Sequence, residues 1–98
     1  MTSCGELIRD EREKRGLFLR QVAAALEIDQ AVISKFEKGD RNLSREQVLK
    51  FAKYYKIDKK QILIAWLSDK VAYELQDEKL AADALKAAKE KINCGKTK

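Results

Sequence analysis

Apolar residues recur at helical spacing along nearly the whole chain. Leu7 and Ile8 open the pattern in a segment that reads as a helix from Gly5 to Arg15. Gly16 closes that helix, because glycine takes the left-handed conformation that ends helices without steric cost. From Leu19 to Leu26, Val22, Ala23 and Leu26 line the inner face of a second helix. The third spans Gln30 to Lys38, with Asp29 as its N-cap and Gly39 as its stop. Only about three residues separate the second and third, short enough to force a steep crossing. Ser44 starts a fourth helix, and Gln47 three positions on completes a capping box. Its expected inner face is Val48, Leu49, Ala52 and Tyr55. Asp58 caps a fifth helix from Lys59, along which Ile62, Leu63, Trp66, Leu67, Val71 and Leu75 repeat. Ser68-Asp69 has the chemistry of a new cap, so residues 59–76 read as one helix or as two. A last helix beginning near Asp77 aligns Leu80, Ala81, Ala84, Leu85, Ala88 and Ile92. The pattern predicts an all-α protein.

The third helix has an unusual outward face. Residues three and four apart share a face, so Gln30, Ser34 and Lys38 align, flanked by Ala31 and Lys35, while Ile33 and Phe36 point inward. The outer stripe offers amide, methyl, hydroxyl and ammonium groups and no carboxylate. Those groups suit the edges of base pairs: Gln can pair with adenine N6 and N7, Ala can approach a thymine methyl, and Lys can donate to guanine O6 and N7. A plain solvated face has the same composition, and the stripe alone does not separate the two.

Composition narrows the field. A chain of 98 residues, 45% hydrophobic and 38% charged, can bury one core, and with no proline and four glycines it favours helices over a turn-rich β fold. The net charge of +5 is compatible with nucleic acid but equally with simple solubility. Lys50, Lys53, Lys56, Lys59 and Lys60 read as such a solubilising face. Cys4 and Cys94 lie near opposite ends with no CxxC pair and no histidine, which argues against a metal site and for two reduced thiols in a cytoplasmic protein. No stretch is apolar for the 18 or so residues of a membrane span, and "MTSCGELIRDER" is not built like a signal peptide. The terminal "GKT" lacks the earlier glycine and the following helix of a phosphate loop. Without histidine or carboxylates paired in an apolar setting, no enzyme and no cofactor are expected.

Leu7 to Leu63 resembles the phage-repressor class of helix-turn-helix domains, the Cro/CI-like XRE family. The resemblance is carried by Arg12 ahead of Gly16-Leu17, Val22-Ala23, Ile33, Glu37-x-Gly39, the Ser44 cap and Tyr55-x-Ile57. It implies a five-helix, lambda-repressor-like DNA-binding domain, with one or two further C-terminal helices here. Its third helix would enter the major groove of double-stranded DNA and set Gln30, Ala31, Ser34 and Lys35 against base edges. It further implies phosphate contacts near Lys38, Arg41 and Asn42, and a structural pairing of Arg12 with Glu37. Arg45, on the first turn of helix four, is a further phosphate candidate. At the start of helix two, Phe18 and Leu19 stand where the family carries a polar cap and a phosphate-anchoring Gln, and Arg20 is the nearest substitute. Glu27 occupies the turn position usually held by Gly.

These readings divide the chain into a DNA-binding domain over 5–67, a helical extension over 68–92 and a disordered tail over 93–98. The apolar surface of Trp66, Val71, Leu75, Leu80, Leu85 and Ile92 exceeds what a five-helix domain needs, so a homodimer formed there is expected. The alternative is an antitoxin or anti-repressor that binds another protein through the same helices.

Overall fold

Local capping chemistry sets where each helix begins and ends. The computed structural model describes residues 3–95, which form six helices and no strand: α1 (Cys4–Lys14), α2 (Leu19–Leu26), α3 (Gln30–Lys38), α4 (Arg45–Tyr55), α5 (Lys59–Leu75) and α6 (Ala81–Gly95). Asp29, Ser44 and Asp58 cap α3, α4 and α5 through side-chain oxygens that accept backbone N–H groups. Ser3 does the same for α1, starting it one residue before the expected Gly5. Three residues, Glu27 to Asp29, join α2 to α3, and Glu27 holds the left-handed conformation with φ 56°.

The core gathers Ile8, Val22, Leu26, Ile28, Ile33, Phe36, Val48, Phe51, Tyr55 and Ile62 between α1 and the first half of α5. Two features were not apparent from spacing. Phe51 is fully buried and Leu49 only half-buried, which rotates the expected inner face of α4. Cys4 is also a core residue. Burial, reinforced by Asp69, pushes its thiol from the ordinary 9.0 up to about 12. Beside it Gly5 brings α1 directly onto α3, so closely that a Cβ there would overlap the Phe36 carbonyl oxygen.

Ser68-Asp69 does not restart a helix, and α5 runs on through both. The Ser68 hydroxyl donates back to the Ala65 carbonyl (2.9 Å), and an Asp69 oxygen accepts the Cys4 N–H (2.8 Å), so it serves the N-terminus of α1 instead. The expected boundary between 67 and 68 thus falls inside a continuous helix. α6 begins at Ala81, later than the expected Asp77, because Asp77 is left-handed (φ 61°) and breaks the helical path. It continues through Asn93, Cys94 and Gly95, where the disordered tail was expected to start. The remainder of that tail, 96–98, lies outside the described residues.

Candidate nucleic-acid interface

α3 turns Ile33, Phe36 and Glu37 into the protein. Its other side leaves Gln30, Ala31, Lys35 and Lys38 exposed and Ser34 half-buried. The buried carboxylate of Glu37 would be costly without a partner. Arg12 on α1 supplies one through two parallel bonds, Nε to Oε2 and Nη2 to Oε1, each 2.9 Å. Its third nitrogen, Nη1, donates to the Leu17 carbonyl at 3.1 Å. The Glu37 side chain is 4% exposed and that of Arg12 15%. The acidic group of α3 is thereby neutralised and removed from the outward face.

The remaining candidates lie on the loop after α3 and on the first turns of α4 and α2. Arg41 and Asn42 are exposed on the loop after α3, where the Asn42 side-chain oxygen accepts the Leu43 N–H (2.9 Å). Arg45, on the first turn of α4, lies 5.6 Å from the centroid of the Trp66 ring. Arg20, on the first turn of α2, lies 4.8 Å from that of Phe18. Phe18 has no cap oxygen to offer, but Gln21 accepts its N–H (2.8 Å), so half of a capping box is present. Lys50 is more than a solubilising charge: its Nζ donates to the Leu26 carbonyl (3.2 Å) at the end of α2.

One expected interface residue requires correction. Trp66 is only 5% exposed, and its Nε1 donates to the Leu43 carbonyl at 2.9 Å, so it belongs to the core and not to a dimer surface. Its i+4 relation to Ile62 puts both on one face of α5 but does not by itself say what covers that face. Leu75 is half-buried, whereas Val71, Leu80, Leu85 and Ile92 are exposed. Ile64, Leu67 and Tyr73 are exposed as well, and α6 buries none of its residues.

Two short helices crossing over a three-residue turn, the second with a carboxylate-free outer face, define a helix-turn-helix DNA-binding protein. A helix-turn-helix family model matches residues 8–62, more than half of the 98-residue chain. The chain belongs to that family, the Cro/CI-like XRE class of DNA-binding regulators, which are generally not enzymes. No curated protein and no solved structure matches it. Among the described residues no cluster of His, Cys, Asp and Glu could hold a metal ion, and no helix is long and apolar enough to cross a membrane.

Proposed function

We propose that the protein is a cytoplasmic, sequence-specific transcriptional regulator that binds a two-half-site operator as a homodimer and reads bases with α3. The outward face of α3 carries this reading: Gln30, Ala31 and Lys35 are exposed together, with Ser34 between them, while Arg12 has taken up the helix's one carboxylate. Lys38 at the end of α3, Arg41 and Asn42 on the loop after it, and Arg45 and Arg20 on the first turns of α4 and α2 fit contacts to phosphate, which position a protein without specifying sequence. One such domain reads few base pairs, so the second half-site, roughly 34 Å away, takes a second copy. The exposed apolar residues Val71, Leu80, Leu85 and Ile92 supply its interface, with half-buried Leu75 at the edge.

Positioning and reading separate experimentally. Gln30→Ala is expected to cost about 1–3 kcal/mol on the operator and little on random DNA. Lys38→Ala and Arg41→Ala are expected to weaken both and to flatten the salt dependence by about one unit each. Gel shifts against DNA from upstream of the protein's own gene, with a random duplex beside it, make the comparison. If Gln30→Ala affects both duplexes equally, or neither, α3 is not the reading helix.

The unpacked α6 supports a second reading, an antitoxin or anti-repressor that works chiefly by binding another protein. A chain that stays monomeric on and off DNA favours it.

A further inference from the structure

Trp66 is the chain's one tryptophan and stands beyond the end of the family match. A buried indole N–H must find an acceptor, and here the acceptor is on the irregular segment between α3 and α4. Leu43 is fixed from both sides: the Asn42 side chain accepts its N–H, and Trp66 Nε1 donates to its carbonyl. The Trp66 ring also carries two cations, with the Lys70 ammonium 3.8 Å and the Arg45 guanidinium 5.6 Å from its centroid. Lys70 lines one cleft with Arg41 and Asn42. The loop and first turn that bear three of the proposed phosphate contacts are therefore held by one side chain of α5.

We infer that Trp66 is a positioning residue for DNA binding. It anchors Leu43 and restrains Arg45 against its ring, fixing the geometry in which Arg41, Asn42 and Arg45 meet the backbone. Side chains ordered in advance lose less freedom on binding. The inference rests on the proposal that this loop lies along DNA.

Trp66→Phe keeps an aromatic ring but removes the N–H donor. It is to be measured well below the melting temperatures of both proteins, at several salt concentrations, on a random-sequence duplex and on DNA upstream of the gene. The expected result is several-fold weaker binding to both duplexes, with a salt slope shallower by about one unit, as for a lost phosphate contact. Unchanged affinity and slope overturn the inference even if the melting temperature falls, since a merely structural role moves only stability. Should the variant not fold, the native protein provides the test through its single indole. A saturating random duplex changes the charge around Arg45 and Lys70 and is expected to shift Trp66 emission, and unchanged emission at saturation overturns the inference. A native chain that binds neither duplex overturns the underlying reading and this inference with it. Native binding equalled by Trp66→Phe overturns this inference alone.

Discussion

Arg12 and Glu37 show how much depends on one pair of side chains. With Glu37 almost fully enclosed and held by two 2.9 Å bonds, Arg12→Ala strands a buried carboxylate. A loss of about 3 kcal/mol is expected, read as a lower thermal midpoint. DNA binding by the fraction still folded should be unchanged, and lost binding without lost stability would place Arg12 on the DNA instead. Cys4 and Tyr55 set the response to alkali. Burial, the larger cause for both, raises the thiol from 9.0 to about 12 and the phenol from 10.0 to about 12. The unfolded chain therefore releases these protons first, so ionisation favours unfolding once the pH exceeds the unfolded values. The contribution of the two groups is fully present below pH 9.0 and is lost progressively toward about 12. Chemical denaturation across that range should show a steady decline, smaller in Cys4→Ala once its own lower baseline is subtracted. A pH-independent midpoint would mean that neither group is held neutral by the fold.

Among the helices, the α1–α3 contact leaves no room for a larger residue at position 5. Gly5 is required there by space and not by backbone conformation, since its added Cβ would meet the Phe36 carbonyl oxygen. Backbone cannot give way as a flexible side chain can, so Gly5→Ala must push the helices apart. A cost of about 1–3 kcal/mol is expected from overpacking, seen as a reduced denaturant midpoint. A stability equal to or above the native value would show that α1 can shift freely. The turn between α2 and α3 is different in kind. Glu27 accepts a left-handed conformation that costs a non-glycine residue about 1 kcal/mol, and Glu27→Gly should leave the fold intact with little change in stability.

The whole molecule is longer than its core requires. Its radius of gyration is 15.5 Å, against about 13 Å for a compact domain of 100 residues. α6 has no buried residue, and Leu80 just before it and Leu85 and Ile92 on it are open to solvent. In the proposed homodimer these residues and Val71 become buried, so Val71→Asp combined with Leu85→Asp should yield a monomer by sedimentation. The double variant should keep its helix content and thermal unfolding of the core, and it should lose operator affinity far more than affinity for random DNA. A native protein already monomeric at concentrations where it binds its operator would remove the homodimer.

Much of this architecture follows from local sequence. Caps, stops and helical periodicity depend on neighbours a few residues apart, so α2 could be read from Val22, Ala23 and Leu26, and α3 and the starts of α4 and α5 from Asp29, Gly39, Ser44 and Asp58. The outward stripe of α3 was legible for the same reason. The rest depended on contacts between residues distant in sequence. Ser68-Asp69 carries a cap signal, yet Asp69 is drawn to the N-terminus of α1 and α5 continues past it. Trp66 fits an apolar stripe whether that stripe faces a partner or the core. Only the approach of the α3–α4 loop, which brings the Leu43 carbonyl to its N–H, decides for the core. Periodicity tells which residues share a face, whereas what covers that face is settled by elements that spacing along one helix does not describe.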